Sequence, residues 1–344
     1  LQVLTFYTTL LLPEIIENKT TLKHNNIPIF IPEMACPHRC VFCNQLRISA
    51  TLEIPEPEEI NGIVEKYLNS SSEIRHREIA FFGGSFTGIP IDLQEKYLKA
   101  ANQFIVSGKI QGIRLSTRPD YINSEIIELL KKYGVTSVEL GAQSTDREVL
   151  KISGRGHTPE DIERASEMIS KAGFELGLQM MIGLPGDSFE KLMQTARDIV
   201  AFGAKTTRIY PTLVIRDTML ENWYLHGKYS PLSLNEAVEQ SKMIFKFFEK
   251  SGVKVLRVGL HPSKELSETE SLVAGPFHAS FMELVMTSLW FDILSEKLKD
   301  LKPGKIEIEV PKNQLNFAAG FKSQNRDYFE NLGFKIKFKI AVDV

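Results

Sequence analysis

Two rhythms of apolar positions alternate along the chain from Ile27 onward. Short runs rich in Ile, Val, Leu and Phe read as strands, and longer stretches with apolar residues three and four apart read as amphipathic helices. The strands fall at 27–31, 78–82, 112–117, 136–140, 176–182, 206–211 and 254–258, and the helices at 59–68, 93–104, 124–133, 158–172, 189–202 and 234–250. Thr158 is the N-cap of the fourth helix, with Pro159 at its first position. Strand and helix in alternation build a parallel sheet, because each return to a parallel strand needs a crossover. The predicted fold class is α/β, a partial (β/α)6 barrel.

Side chains two apart share a strand face. Val138, Leu140 and Ala142 form an apolar face, with Ser137, Glu139 and Gln143 opposite. Arg114, Ser116 and Arg118 share a face of the third strand, Gln179 and Met181 of the fifth, and Thr206, Arg208 and Tyr210 of the sixth. A closed eight-stranded barrel fills its interior with Val, Ile and Leu. Polar inner faces predict instead a hollow that holds ligand and water. Ligands in such folds sit beyond the C-terminal strand ends. There the stretch 36–43, the Gly83-Gly84 turn, Arg118, Gln143 and the turn Gly183-Leu184-Pro185-Gly186 are expected to meet.

Beyond the barrel the order changes. Residues 305–310 read as strand, 313–319 and 324–331 as helices, and 334–340 as strand, with Gly320-Phe321-Lys322-Ser323 between the helices. That order resembles the core of a KH RNA-binding module, whose GxxG loop clamps a nucleic-acid backbone. Ser323 stands where the second glycine falls. Lys322, Arg326, Lys335 and Lys337, joined by Lys339, supply positive charge for phosphates. The competing expectation is a capping subdomain whose edge strand carries a solvated lysine face. The chain thus divides into an N-terminal extension at 1–26, a barrel at 27–262, and a helical and α+β subdomain at 263–344.

Composition narrows the class without deciding it. Hydrophobic residues make up 43% of 344 and charged ones 24%, as in an ordinary globular protein. A formal charge of -2 does not advertise nucleic-acid binding, although a local patch can still provide it. No apolar run approaches the ~20 residues that span a bilayer, so no membrane partner is expected. Val3 to Leu12 is apolar but lacks the basic flank and small-residue cleavage site of a signal peptide. Clustered cysteines fit a reducing cytosol, and the expected location is cytoplasmic.

The chemistry is concentrated at Cys36-Pro37-His38-Arg39-Cys40-Val41-Phe42-Cys43, which contains all three cysteines of the chain. Thiolates bind iron well, and three on one loop suit three corners of a cubic [4Fe-4S] cluster. The fourth iron is then open to a small molecule. Zinc is the rival, held by Cys36, Cys40, Cys43 and His38, but His38 lies between two of the cysteines and tetrahedral ligation is awkward. Gly83-Gly84 lets the backbone approach a ligand closely. Gly154-Arg155-Gly156-His157 is too short for a dinucleotide fingerprint. His261 and His278 lie in loops without clustered ligands.

The C-x3-C-x2-C spacing with Phe42 before the last cysteine resembles the signature of radical S-adenosylmethionine (AdoMet) enzymes. The stretches LSTRPDY (115–121), VELGAQSTDREVLKISGRGHTPEDI (138–162) and YPTLVIRDTMLENWYLHGKYSPLS (210–233) resemble the radical AdoMet half of the Elongator catalytic subunit, which modifies wobble uridines in tRNA. The resemblance runs from about Ile27 to Val258. It implies that Cys36, Cys40 and Cys43 hold the cluster, that Phe42 packs near adenine, and that Gly83 and Gly84 meet the AdoMet amino group. Ser116 and Arg118 become candidates for the AdoMet carboxylate, Glu139 and Gln143 for the ribose or substrate, and Met181 and Gly183 for the adenine. An ion pair of Arg118 with Asp120 or Glu139, or a buried hydrogen-bond network around Glu139, competes with these roles.

The implied reaction takes an electron from a flavodoxin- or ferredoxin-type donor, cleaves AdoMet reductively and starts hydrogen abstraction, with tRNA as the expected partner. Two features depart from the family. The cysteine loop is shorter between its first two cysteines, and the sequence to Val344 shows no acetyltransferase-like domain, which leaves a carboxymethyl product open. An oxidoreductase acting on a small metabolite or tetrapyrrole with the same core, and a non-catalytic zinc-stabilised RNA-binding protein, are the alternatives.

Overall fold

The computed structural model describes residues 2–4, 24–31, 40–44, 47, 54–70, 76–260 and 271–341. Cys36, His38 and His261 lie outside these. The elements in chain order are β1 (Gln2–Leu4), β2 (His24–Ile31), α1 (Ile60–Ser70), β3 (His76–Gly83), α2 (Ile91–Val106), β4 (Gly112–Thr117), α3 (Ser124–Lys132), β5 (Val135–Gln143), α4 (Arg147–Ile152), α5 (Pro159–Lys171), β6 (Glu175–Ile182), α6 (Phe189–Ala201), β7 (Thr206–Pro211), β8 (Val214–Ile215), α7 (Met219–Leu225), α8 (Leu234–Lys250), β9 (Lys254–Val258), β10 (Leu272–Ala274), α9 (Phe281–Leu298), β11 (Lys305–Val310), α10 (Leu315–Ala319), α11 (Gln324–Asn331) and β12 (Lys335–Ile340).

Seven of these strands form one parallel sheet in the order β2-β3-β4-β5-β6-β7-β9, curled into a half-barrel. The α/β fold class expected from the alternation is the one observed. Local chemistry sets the helix starts. Thr158 accepts from the Asp161 amide while the Asp161 side chain bonds back, and Ser233 and Glu236 do the same for α8. On the strands, Ile79, Phe81, Ile113, Leu115, Val138, Leu140, Leu178 and Met180 are buried in the main apolar core. Burying each such side chain contributes about 1.5–3 kcal/mol relative to leaving it in water.

Six elements escaped the pattern: β1, α4, β8, α7, β10 and α9. Helix α9 is apolar on most sides because Phe281, Val285, Leu289, Trp290 and Leu294 are all buried, so no 3.6-residue stripe stands out. It packs against α8 and β9 on one side and α10 and α11 on the other. Strand β1, in the extension, pairs parallel with β11, which pairs parallel with β12. The small C-terminal piece shares the barrel's core: Ile306, Ile308, Phe329 and Ile336 belong to the same buried cluster as Ile27 and Phe81. No helix among the described residues is long and apolar enough to cross a membrane.

Candidate active site

The strand ends are tied together by short turns. The Gly84 amide donates to the Ile31 carbonyl at 2.8 Å, which joins the GGSF turn to the point where β2 runs into the cysteine loop. Gly83 has φ 110°, a conformation that side-chain-bearing residues rarely adopt. Phe86 then stacks at 4.8 Å on Phe81, and the Thr87 and Thr117 hydroxyls share a 2.6 Å hydrogen bond. The end of β3 is thereby locked to the end of β4.

Cys40 is buried, and the Cys43 amide donates to its carbonyl at 3.0 Å in a tight turn. The segment after β7 covers this loop. The Leu220 amide donates to the Val41 carbonyl at 2.7 Å, Asn44 Nδ2 to the Arg216 carbonyl at 3.3 Å, and Arg47 pairs with Asp217 at 2.7 Å. Phe42, Trp223 and Tyr229 pack against a small cluster of Val41, Val214 and Leu220. Tyr229 Oη donates to the Gly183 carbonyl at 2.7 Å. The run 210–233 thus acts as a cover that fastens the cysteine loop to the β6 turn. At that same turn, burial pushes the Asp187 carboxyl up to about 7.

Arg155 joins the parts that sequence reasoning left separate. Its Nη1 lies 3.2 Å from Cys40 Sγ and its Nη2 donates to the Gly141 carbonyl at 2.5 Å. Its own carbonyl accepts from Arg118 Nη2 at 2.5 Å. Arg118 in turn grips Asp120 through Nε and Nη2 at 2.9 and 3.0 Å, one of the two ion pairs weighed for it. Gln143 ends β5 with φ 68°, and its buried Oε1 has no partner among the described residues. A non-glycine residue held left-handed at a strand end is strain of the kind found at ligand sites. In the sequence Arg155 stands within the stretch 138–162, between two glycines that both have positive φ.

The middle of the half-barrel holds a cluster of paired charges. Glu139, 1% exposed, accepts Arg208 Nε at 2.6 Å and Gln179 Nε2 at 3.0 Å on one oxygen. Its other oxygen accepts Arg208 Nη2 at 3.0 Å and Arg114 Nη1 at 3.3 Å. A carboxylate offers about four acceptor sites, so a ligand hydroxyl reaches Glu139 only by displacing one of these. Arg114 also binds Glu78 and Glu175. Burial opposes ionisation of Glu139, but Arg208 and Arg114 outweigh it and hold the carboxyl below its usual range. Gln179 approaches Ser116 Oγ at 3.5 Å, and Met181 lies beside Tyr210 in the register.

His157, also in the GRGH turn, is 3% exposed, with Nε2 3.2 Å from the Ala142 carbonyl. Burial first, then the Arg155 and Arg118 charges, push its pKa down to about 3. Between that value and the unfolded value near 6.5 the unfolded chain holds the extra proton. Stability from this group is therefore complete above pH 6.5 and is lost on acidification, with a limiting slope of about 1.4 kcal/mol per pH unit. Urea unfolding of His157→Gln from pH 4 to 6.5 should give a shallower pH dependence than the parent. An unchanged slope would show that His157 is not the group titrating.

In the C-terminal piece, Gly320, Lys322 and Ser323 have φ 87°, 52° and 65°. Ser323 thus adopts the conformation that the missing glycine of a GxxG loop takes freely. Lys322 lies over the Phe321 ring at 5.5 Å and Arg326 over Phe338 at 5.8 Å. Lys337 and Lys339 both approach Glu307, at 3.8 and 2.5 Å, and Lys335 is exposed. His278 accepts the Ser280 amide and packs edge-on against Phe321.

A half-barrel that feeds a C-x3-C-x2-C loop from its first strand defines an AdoMet radical enzyme by architecture and by the chemistry of its donors. Residues 32–199 match the Radical SAM superfamily model and residues 204–290 the Radical_SAM C-terminal domain, so the chain belongs to the radical SAM superfamily. It is 29% identical over 244 residues to a tRNA uridine(34) acetyltransferase of Methanocaldococcus infernus, covering 59% of this chain and 46% of that protein. It is 28% identical over 203 residues to Elongator complex protein 3 of Saccharomyces cerevisiae, covering 53% and 36%. The chain therefore spans less than half the length of these two relatives. The structure of the archaeal Methanocaldococcus infernus Elp3 lacking its N-terminus has the same fold, with a TM-score of 0.60 at 22% identity over 81% of this chain and 64% of that one.

The residues present fit the group that this family implies. Cys40 and Cys43 share one turn, a guanidinium lies against the Cys40 sulfur, which carries negative charge when it ligates metal, and buried Gln143 Oε1 and Arg155 Nε lack partners among the described residues. With Cys36 outside them, the described residues contain no group of three or more His, Cys, Asp or Glu placed to hold a metal.

Proposed function

We propose that this enzyme uses a [4Fe-4S] cluster and AdoMet to modify a wobble uridine of tRNA in the cytoplasm, with a flavodoxin- or ferredoxin-type protein as electron donor. The observation that carries the reading is the convergence, through Arg155, of Cys40, Arg118 and the strained Gln143 at the ends of β4 and β5. Cys36, Cys40 and Cys43 would hold the cluster. Gly83, Gly84, Ser116, Arg118, Gln143, Met181 and Gly183 would hold AdoMet, with Phe42 beside its adenine. When bound, the pair supplies a one-electron reductive cleavage that starts hydrogen abstraction. The chain's own part is to close the site: the ionic layer around Glu139 forms a floor, and the cover at 210–233 keeps water from the cysteine loop.

Anaerobic reconstitution with iron and sulfide, followed by AdoMet and dithionite, should give brown protein that releases 5′-deoxyadenosine. Colourless protein with stoichiometric zinc would overturn the reading. The tRNA part has its own test. Lys322 and Lys335 are exposed, whereas Arg326 lies over Phe338 and Lys337 near Glu307. The variant Lys322→Glu/Lys335→Glu should weaken tRNA binding and flatten its dependence on salt by about two charges' worth of slope. Equal binding by parent and variant, measured by filter retention from low to high salt, would remove the C-terminal piece from the RNA contact.

A further inference from the structure

Strand β9 carries a basic group that none of the roles above uses. Its register with β7 runs Thr206 to Lys254 and Thr207 to Val255, then jumps to Arg208 with Arg257 and Ile209 with Val258. Leu256 is the extra residue of a β-bulge. Val255 packs outward against the main core, beside Thr207. Without the bulge, Arg257 would share that outward side, two residues on, and face the helices. The bulge turns it to the inner face beside Arg208, and bulges that re-aim a side chain are over-represented next to active sites.

The two neighbouring arginines are treated differently. Arg208 is held by both oxygens of Glu139 and lies over the Phe82 ring at 5.6 Å. Arg257 donates Nε to the Gly259 carbonyl at 3.0 Å, and among the described residues no carboxylate pairs with it. It is half-buried, and burial and the Arg208 charge lower its pKa, with only the nearby Tyr210 acting the other way. A partly desolvated guanidinium beside another one is unfavourable unless an anion joins it. Its terminal nitrogens form the planar fork that suits two oxygens of one anion.

We propose that Arg257, beside Tyr210 on the inner face of the half-barrel, is an oxyanion-binding position for the substrate. The inference rests on the half-barrel interior being the substrate chamber. Strand β9 is at the opposite edge of the sheet from β2 and β3, which bear the cysteine loop and the GGSF turn. A nucleotide phosphate and a small-molecule carboxylate share the required chemistry.

Arginine labelling of the unaltered chain by phenylglyoxal, mapped by peptide mass spectrometry, tests this without cluster or AdoMet. The labelling rate at Arg257 is compared in sodium chloride, inorganic phosphate and acetate at equal ionic strength, with exposed Arg197 as internal reference. Bound anion should slow labelling of Arg257 but not of Arg197, by about tenfold when the anion is near ten times its dissociation constant. Stronger protection by phosphate identifies a phosphate as the source, and stronger protection by acetate a carboxylate. Equal rates in all three salts, parallel slowing of Arg197, or no labelling of Arg257 in any salt would overturn the proposal. Deoxyadenosine release can succeed or fail independently of each of these results.

Discussion

Cys40→Ala should lose bound iron and sulfide and lower deoxyadenosine release by at least about a hundredfold, because even outer partners of metal ligands are worth 10–100-fold. Cys40 is buried beneath the cover formed by 210–233, where alanine keeps most of the packing. The variant should therefore fold, and its loss should be chemical. Arg155→Met is the informative companion. It removes the charge against Cys40 Sγ and the bond to the Gly141 carbonyl but no ligand, so cluster content should persist while release falls about tenfold. Iron, sulfide and deoxyadenosine are measured on the same reconstituted samples. Full iron content in Cys40→Ala would mean that this thiol is not a ligand.

The half-barrel was legible because its signals are local. Period-two runs with one apolar face, and helices opened by Thr158-Pro159 or Ser233, state their structure within a few residues. The three stretches that resembled the Elongator subunit likewise carried the family. What stayed hidden depends on distant pairing. Glu139, Arg208 and Gln179 are visible as polar inner-face residues, but that they neutralise one another follows only from the register of β5, β6 and β7. Inner-face polarity alone therefore does not show that these residues pair into an ionic floor. Arg155 was passed over because its partner Cys40 lies 115 residues away. Alternation alone would put Arg257 on the outer side, because the bulge at Leu256 shows only in the register of β9 with β7.

Glu139→Met should destabilise the fold by about 3–5 kcal/mol, the range for stripping one partner from a buried ionic group. That is a large part of the 5–15 kcal/mol available to a typical domain. The reason is the arrangement of donors: Arg208 loses both Glu139 oxygens, Gln179 loses one, and Arg114 keeps Glu78 and Glu175. The double variant Glu139→Met/Arg208→Met should be more stable than Glu139→Met alone. It no longer buries an unpaired guanidinium, and apolar replacement of a buried pair is often near neutral. Denaturant unfolding of the two single variants, the double variant and the parent closes the cycle. If the double variant were the least stable of the four by the sum of the single losses, the two residues would be independent. The ionic floor would then be a coincidence of neighbours rather than a unit. If instead the cycle shows strong coupling while Glu139→Gln, with shape kept and charge reduced, still binds AdoMet like the parent, Glu139 holds the chamber together and is not itself a ligand of the cofactor.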